Sequence, residues 1–539
     1  MKRRSKKDDG SSLTSTIKTH SILGDVWVPI YETPVEFSSS HFETAMLNII
    51  KQPNINSTVI MRADILKENI YDPEKGDTMF VSKNIKTLPS FPDQDESDTL
   101  LYRNYDDVEL RHIPLDDSAI KFKPKCQVVR RVIPRNPFKD YIINQTSVIL
   151  SDDSNRSLMV VYIPHIEKED ETPFYLPPVH GIAILFHDDK LSIHYLPFNY
   201  TDPSERSKLR TLDPNERSIR IAMRLLLTSR KHSQGSKDGY EKRVVHDLVV
   251  PKEAFQNRYI SLKKKYSSAL VNSWAEKTDP KKHVFEDLAI AAFLIELWKL
   301  KYDGRPFEFM DLGCGNGLLV YILHMEGYKG RGIDARARKS WITYPAETQE
   351  CLEEKIIIPH VLLKSNTQKD KYFQIPDSHD PTLMTYHSSS KLMASKNVCI
   401  TNEFKENTFI IGNHSDELTC WIPLLGYSFL VIPCCSHSLS GAKKRYTPKS
   451  SGALSTYGAL VEHVEELSKT MGWIVEKESL RIPSTRNAAV IGFNKHSKYK
   501  DDTQETFDSR VMDVANREKN LDSWVENSIS LMKKAPRDH

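Results

Sequence analysis

The residues best suited to chemistry form one short motif in the second half of the chain, Asp311-Leu312-Gly313-Cys314-Gly315-Asn316-Gly317. It lies between an apolar run typical of a strand and an apolar run typical of a helix. Glycines allow a tight turn and a close approach of backbone to a ligand, and the first turn of a helix has free N–H groups. The motif therefore predicts a cofactor-binding loop at the end of a first strand.

The spacing of the glycines separates two classes of cofactor. Dinucleotide enzymes use G-x-G-x-x-G, which admits a pyrophosphate, whereas an acid followed by G-x-G-x-G is typical of S-adenosylmethionine sites. The next predicted strand ends in Asp334, where the ribose hydroxyls of either cofactor would bind. A dinucleotide site and a purely structural turn are the alternatives. We expect S-adenosylmethionine to be held by Asp311, Gly313, Cys314, Gly315, Asn316, Gly317, Asp334 and Asn413.

A polar run from Asn413 to Glu417 follows the predicted strand FIIG, at the strand end that faces the reacting methyl group in such domains. Methyl transfer to a hydroxyl needs alignment of the two reactants and a general base. Asp416 or His414 is the candidate base, and Lys282 is the candidate for holding the acceptor. Asp416 equally fits the first turn of a helix, where an acid stabilises the helix without any catalytic role.

Two adjacent cysteines, Cys434 and Cys435, follow another apolar run. A cysteine at a strand end could instead attack C6 of a pyrimidine and direct a methyl group to C5 of uridine or cytosine, with His437 as the nearest activating side chain. Together with Cys420 these residues lack the usual zinc spacing, so we expect structural cysteines and no metal. The run NHSD differs from the N-P-P-aromatic tetrapeptide of enzymes that methylate amino groups.

Basic residues are concentrated between positions 201 and 265, with 16 Lys and Arg against 8 Asp and Glu, although the formal net charge of the whole chain is only +3. A helix predicted from Glu216 to Ser229 places part of this charge on one face. Such a face binds nucleic-acid phosphates or is simply solvated. The candidate substrate contacts are Arg217, Arg220, Arg224 and Lys231 on this face, and Arg338, Lys339, Arg486 and Asn487 in the second half.

The elements around these residues predict an α/β protein. Strands and helices alternate from 276 to 539, as in a class I (Rossmann-like) S-adenosylmethionine-dependent methyltransferase domain with a surface insertion at 365–396. Short β-rich runs dominate the preceding α+β region at 21–275, and GIAILF and LSIHYL form a predicted hairpin. Residues 1–20 are predicted to be a disordered basic tail.

Composition excludes several classes of protein. With 539 residues and 39% hydrophobic content, the chain has room for two to four domains. No apolar run reaches the roughly 18 residues that span a membrane, and the N-terminus lacks an apolar signal core. Seven scattered cysteines are typical of a reduced intracellular protein, so we expect a cytoplasmic or nuclear setting without membrane contact.

Six blocks of sequence between 279 and 493 resemble one family in the same order: TDPKKHVFEDLAIAAFLIELW, FMDLGCGNGLLVYIL, EGYKGRGIDARARKSW, FIIGNHSDELTCWIPLL, IPCCSHSLSG and LRIPSTRNAAVIG. A further match is GYEKRVVHDLVVP. The chain resembles the eukaryotic tRNA uracil-2′-O-methyltransferases that modify uridine 44 of serine tRNA. The resemblance implies S-adenosylmethionine as donor, the ribose 2′-hydroxyl of a uridine in tRNA as acceptor, and the cytoplasm. A non-catalytic tRNA-binding protein with the same fold is the alternative.

Overall fold

The computed structural model describes residues 14–17, 19–72, 74–83, 100–103, 106–240, 246–362, 372–376, 384–388, 395–447, 455–517 and 523–533. The chain forms two compact units, Met1–Lys242 and Arg243–His539. Most of the basic tail 1–20 and of the insertion 365–396 lies outside the described residues. The two units divide before the boundary at 275/276 that we predicted, because a helix at Lys252–Asn272 packs its Phe255, Leu262 and Tyr266 into the core of the second unit.

The first unit is built on a large, mostly antiparallel sheet. Its strands are β1 (Ser15–Thr16), β2 (Val28–Pro34), β3 (Ile60–Ile70), β4 (Thr78–Val81), β5 (Tyr102–Arg103), β6 (Lys123–Pro134), β7 (Ile142–Ser151), β8 (Leu158–Pro164), β9 (Gly181–His187) and β10 (Lys190–Leu196). Their order is β1-β2-β10-β9-β8-β7-β6-β3-β4, with β5 parallel to β7. The predicted hairpin is confirmed as β9 and β10.

Three helices of the first unit are α1 (Ser39–Lys51), α2 (Pro203–Arg210) and α3 (Arg217–Lys237). Phe42, Met46 and Ile49 recur at helical spacing on α1 and are buried with Ile219 and Leu226 of α3 in one core against the sheet. The helix predicted from Glu216 is confirmed as α3, which continues well beyond the predicted end at Ser229. Its apolar side therefore lies inward and leaves a basic side outward.

The second unit contains a seven-stranded sheet in the order β13-β12-β11-β18-β19-β21-β20. Its strands are β11 (Glu308–Leu312), β12 (Gly330–Asp334), β13 (Leu352–Glu354), β18 (Thr408–Asn413), β19 (Ser428–Ile432), β20 (Trp473–Ser479) and β21 (Ala488–Lys495). Two small sheets pair β14 (Ile356–Ile358) with β17 (Val398–Ile400), and β15 (Tyr372–Pro376) with β16 (Met384–Ser388). Neighbouring strands of the large sheet are parallel except at β21, which is antiparallel to β19 and β20.

Helices pack on this sheet: α4 (Lys252–Asn272), α5 (Pro280–Tyr302), α6 (Leu318–Met325), α7 (Ala346–Gln349), α8 (Thr456–Thr470), α9 (Gln504–Ala515) and α10 (Ser523–Lys533). Apolar residues occupy nearly all of α5, which lies in the centre of the unit with Leu288, Phe293 and Trp298 fully or almost fully buried. The parallel strands bring the ends of β11, β12 and β18 to one edge of the sheet. In the part of the chain that the structure describes, every helix is too short or too polar to cross a membrane.

Candidate active site

The glycine loop joins β11 to α6 in the way its residues require. Gly313, Gly315 and Gly317 all have positive φ angles of 79°, 54° and 73°, which side chains with a Cβ rarely adopt. Two aromatic side chains hold the loop from behind, because the Trp341 indole donates to the carbonyl of Gly315 and the Tyr344 hydroxyl donates to that of Asn316. With these carbonyls fixed on one side, the opposite side of the loop is rigid and open to a ligand.

A cavity of about 500 Å³ opens beside this loop, within the size range of small-molecule sites. It lies wholly in the second unit, between the loop, the start of α5, the ends of β12 and β18, and α10. The predicted site residues that line it are Gly313, Cys314, Gly315, Asn316, Asp334, Asn413, His414, Asp416, Lys282, Arg338 and Arg486. Four predicted residues of the second unit, Asp311, Gly317, Lys339 and Asn487, are outside this lining.

The last two glycines of the motif differ in what they face. A Cβ at Gly315 would meet no atom within 4 Å, which leaves room for a ligand against the backbone. A Cβ at Gly317 would lie 2.9 Å from Cδ1 of Leu352, so this glycine permits close packing of the start of α6 against β13. Asn487 likewise has a packing role, since its side-chain amide donates to the carbonyl of Leu480 across a turn.

Buried carboxyl groups surround the cavity. Asp334 accepts from the backbone N–H of Gly315 at 3.0 Å and from that of Arg336 at 3.1 Å, so it joins the end of β12 to the loop. Asp311 is 1% exposed, and its Oδ1 has no hydrogen-bond partner among the described residues. Burial, Asp287 and Asp334 together raise the pKa of Asp311 well above its usual range.

Two neighbouring acids on α5, Glu286 and Asp287, enter the same cavity although α5 is otherwise apolar. Asn413 donates to Asp287 at 3.0 Å, and Nε2 of His414 lies 3.1 Å from Oε1 of Glu286. Burial, followed by the charge of Glu286, raises the pKa of Asp287 to about 7. Crowded, partly protonated carboxyl groups of this kind mark a site for a cation.

These groups fit S-adenosylmethionine, which carries a positive sulfonium and an ammonium group. The acids Glu286 and Asp287 of α5 offer negative charge in the cavity where the ligand is positive. The hydroxyls of its ribose match Asp334, because a carboxylate accepts two hydrogen bonds at once. A dinucleotide pyrophosphate would instead bring further negative charge to the same carboxyl groups.

We expect the affinity for S-adenosylmethionine to rise about tenfold between about pH 6 and about pH 8, because only the ionised form of Asp287 attracts a cation and its pKa is about 7. The stability of the free protein changes with pH in the opposite direction. Folded Asp287 keeps its proton at pH values where the unfolded chain has lost it, so it lowers the unfolding free energy as pH rises from about 4 to about 7.

Calorimetric titrations and melting curves across this pH range measure both effects on the wild type and on Asp287→Asn. The variant should bind the donor with little pH dependence and should melt at a higher temperature than the wild type at pH 8. Asp116→Asn, at an exposed acid of the first unit, is the control for loss of one charge. A wild-type affinity that is flat across the range would contradict the role given to Asp287.

The strand end at β18 holds the candidate catalytic residues in an unusual backbone conformation. His414 and Asp416 have φ angles of 54° and 44°, a left-handed region that costs non-glycine residues roughly 1–3 kcal/mol each and is common at active sites. Asp416 starts a 3₁₀ turn at Asp416–Leu418 and is 8% exposed. The backbone thus directs this run into the cavity at a cost in stability.

Asp416 is also in contact with the two cysteines that follow β19. The Cys434 thiol donates to Oδ1 of Asp416 at 3.0 Å. Interaction with the neighbouring Cys435 thiol, together with burial, raises the pKa of Cys434, whereas interaction with the Cys434 thiol lowers the pKa of Cys435 to about 7. Ligand atoms of Asp416, Cys434 and Cys435 lie within 4.8 Å of one another, close enough for one metal ion, so the absence of a metal stays a prediction.

The remaining basic candidates of this unit differ in position. The Arg486 guanidinium donates to the carbonyl of Cys434 and contacts Sγ of Cys435 at 3.6 Å, so it fixes the turn that holds the cysteines. Arg338 lines the cavity beside Asp334, and Lys282 lies at its exposed rim near the start of α5. Lys339 is exposed outside the cavity.

Four basic candidates lie in the first unit, on α3. Arg220, Arg224 and Lys231 are exposed, as the helical spacing predicts. Arg217 is half-buried, because its guanidinium donates to the carbonyls of Phe174 and Leu176 and stacks on the Phe174 ring. Arg217 therefore anchors a loop, and a phosphate-binding face on this helix would consist of the other three.

Several cavity residues were not found from the sequence. The sequence does contain a pattern that indicates Glu286 and Asp287, since these two adjacent acids interrupt an apolar helix that must be buried. Glu276 lines the cavity and accepts from the backbone N–H and the hydroxyl of Ser340, and it had no such signal. Trp524 of α10 reaches the cavity from the far end of the chain, which no local pattern indicates.

Comparison with protein families gives two matches that together span most of the chain. Residues 7–243 match a model described as "TRM44-like, N-terminal bet v1-like domain", and residues 249–359 match one described as "Predicted AdoMet-dependent methyltransferase". The border between these matches agrees with the division between the two compact units. No solved structure matches the chain.

Several curated proteins similar to this chain carry the name tRNA (uracil-O(2)-)-methyltransferase. The protein of Debaryomyces hansenii is 58% identical over 99% of this chain and 99% of its own length. That of Kluyveromyces lactis is 50% identical over 98% and 99%, and that of Saccharomyces cerevisiae 47% identical over 97% and 96%. The similarity thus covers both units and is not limited to the cofactor loop.

Proposed function

This chain belongs to the family of the tRNA (uracil-O(2)-)-methyltransferases, and from that premise we propose that it transfers a methyl group from S-adenosylmethionine to the ribose 2′-hydroxyl of a uridine in tRNA. One observation in the structure supports this most directly. The glycine loop, the acids Glu286 and Asp287 of α5 and the strained strand end of β18 meet in one cavity of suitable size. Such a cavity can hold a cationic donor beside a general base.

S-adenosylmethionine supplies an activated methyl group on a positively charged sulphur. In our proposal Asp334 binds the ribose of the donor, the loop from Gly313 to Asn316 packs against it, and Asp287 attracts its positive groups. Asp311 lies outside the cavity lining and is proposed to act on the donor only through its interaction with Asp287 and Asp334. These contacts fix the donor in one orientation. Effective molarities for well-aligned reactants reach about 10⁵ M or more, so alignment is the main contribution of the protein.

The acceptor oxygen must lose its proton during or after attack. We propose that Asp416 takes this proton, because it lines the cavity at the end of β18. His414 is the second candidate, although its Nε2 faces Glu286 at 3.1 Å. Lys282, at the rim, is proposed to hold the backbone of the acceptor nucleotide, and Arg338 and Arg486 are proposed to contact the RNA at the same opening.

We further propose that the substrate is serine tRNA and the modified residue its uridine 44, as the sequence resemblance implies. The test uses the purified full chain with labelled S-adenosylmethionine and an unmodified serine tRNA transcript. Digestion to nucleosides and mass spectrometry should show 2′-O-methyluridine, and a transcript with cytidine at position 44 should remain unmethylated.

Other outcomes of this experiment each exclude part of the proposal. A C5-methyl product would assign the chemistry to Cys434 or Cys435, in agreement with the lowered pKa of Cys435. Methylation of a second, non-serine tRNA transcript while the serine transcript stays unmethylated would retain the activity and exclude serine tRNA. Donor binding without any product would favour the non-catalytic tRNA-binding protein.

For the fold of the second unit, we propose the class I Rossmann-like type. The order of its seven strands, with β21 as the one reversed strand, supports this assignment. We propose that 243–539 contains the whole donor site and that the α+β unit before it contributes RNA contacts. The cytoplasm is the proposed setting, and fluorescence imaging of a tagged chain tests it.

Charge reversal on α3 should weaken tRNA binding. With Arg220→Glu and Lys231→Glu together we expect about a tenfold loss of tRNA affinity. The slope of the logarithm of affinity against the logarithm of salt concentration should also fall by about two contacts' worth, because each lost phosphate contact releases one counterion fewer. Fluorescence anisotropy across a salt series measures both. Lys75→Glu with Lys83→Glu, next to β4 at the opposite edge of the sheet, changes the net charge equally and is the control. Equal salt slopes for the two double variants would exclude a phosphate-binding role for this face.

A further inference from the structure

The first unit contains a second cavity, of about 40 Å³, between its sheet, α3 and the segment that follows α1. One water needs roughly 10–15 Å³ of such space, so the cavity has room for about three waters or one small oxyanion. Two arginines, Arg130 and Arg224, line it. Every lining residue belongs to the described part of the chain, and none is acidic.

Arg130 is a buried charge without a counter-charge. It is 4% exposed in the middle of β6, and no carboxylate contacts its guanidinium within the described ranges. Its partners are the Gln145 side chain, with N–O distances of 3.0 and 2.6 Å, and the backbone carbonyls of Ile49 and Ile50. An isolated buried charge is costly unless its surroundings compensate it.

The compensation that the structure provides is partial. Ile49 and Ile50 lie in the last turn of α1, and a helix C-terminus acts as roughly half a negative charge. Roughly half of the positive charge of Arg130 therefore has no counterpart. Of the five N–H donors of a guanidinium, the four hydrogen bonds of Arg130 leave one on Nη2 for a further acceptor.

A second polar group of the cavity lacks a partner. The Tyr162 hydroxyl, on β8, has no hydrogen-bond partner in the described residues. Water cannot readily reach it, because the residue is only 5% exposed. Its ring lies 5.1 Å from the Arg130 guanidinium, so the two groups are neighbours. Buried hydroxyls are nearly always satisfied by protein or by a bound molecule.

From these observations we propose that this cavity binds one phosphate group. Arg130 supplies charge and an N–H donor from inside, Tyr162 supplies an O–H donor, and the exposed Arg224 supplies charge at the rim. Guanidinium and phosphate form short, charge-assisted hydrogen bonds. The phosphate comes either from tRNA, since Arg224 belongs to the basic side of α3, or from a small phosphate compound.

Tyr162→Phe tests this site without loss of packing, because it removes one oxygen and keeps the ring against Arg130. If the hydroxyl only fills space, its removal leaves the melting temperature unchanged or raises it, since an unsatisfied polar group is lost. If it binds phosphate, calorimetry of the full chain with inorganic phosphate should show about a tenfold weaker affinity. Affinity for S-adenosylmethionine should not change.

Arg224→Ala, compared with Arg210→Ala on α2 as an exposed control, should also weaken phosphate binding. The two sources are separated by measuring tRNA affinity in phosphate-free buffer. Weaker binding of both ligands by Tyr162→Phe identifies a phosphate of tRNA, and weaker binding of inorganic phosphate alone identifies a small phosphate compound. Equal affinities of wild type and Tyr162→Phe for both ligands would overturn the proposal.

Discussion

Replacing Asp334 with alanine is expected to weaken the binding of S-adenosylmethionine by about 100-fold. Asp334 ends β12 and lines the cavity, and it is the carboxylate that we propose accepts the two ribose hydroxyls. A hydrogen bond to a charged group contributes about 1.5–3 kcal/mol, so the loss of two amounts to about 3 kcal/mol or more. That free energy corresponds to roughly two powers of ten in the dissociation constant.

The same carboxylate also accepts from the backbone of Gly315 and Arg336, so the alanine variant removes support from the loop as well. Asp334→Asn separates the two effects, because its amide oxygen can still accept one backbone bond. We expect Asp334→Asn to melt near the wild-type temperature and still to lose about tenfold in donor affinity. Glu354→Ala, at the exposed end of the neighbouring strand, is the control.

Calorimetric titration with S-adenosylmethionine gives the dissociation constants, and S-adenosylhomocysteine, which lacks the positive sulphur, gives a useful comparison. Loss of Asp334 should affect both ligands equally, whereas loss of Asp287 should affect the charged donor more. A donor affinity of Asp334→Ala within threefold of the wild type would show that the ribose is bound elsewhere.

The glycine loop could be found from the sequence because its backbone conformation requires unusual residues in a fixed order. Gly313 and Gly315 have backbone angles that other residues avoid, and Asp334 must end the next strand. These requirements are local, so they leave a local pattern. The helical face of α3 was predictable for the same reason, since Ile219 and Leu226 recur at the helical period.

Features that depend on distant contacts left no such pattern. The helical spacing places Arg217 with the other basic residues of α3. In the structure its guanidinium donates instead to backbone carbonyls of a loop more than forty residues away in the sequence. Arg130 lies in a strand of mixed polar and apolar residues beside a second arginine, Arg131, and only the fold places the end of α1 against it. The domain boundary was missed similarly, because the side chains of α4 complete a core formed mostly by later residues.

Replacing Asp416 with asparagine is expected to lower the rate of methyl transfer by about 10²- to 10⁴-fold, the usual contribution of a general base. Asparagine keeps the shape of the side chain and an oxygen that can accept from Cys434, but it cannot take a proton. Single-turnover kinetics with saturating tRNA and donor measure the chemical step. Donor and tRNA affinities should stay within about threefold of the wild type.

Three matched variants distinguish this role from the others that the geometry allows. Cys434→Ser keeps a hydrogen-bond donor to Asp416 and should retain most of the rate, whereas a C5 mechanism through Cys434 predicts its loss. Cys435→Ser makes the same comparison for the thiol with the lowered pKa. His414→Asn should retain most of the rate if Asp416 is the base. If Asp416 has only a structural role, Asp416→Asn should react at a near-normal rate, because the asparagine oxygen still accepts from Cys434. A reaction slowed a hundredfold or more in a normally folded variant would instead assign proton transfer to Asp416.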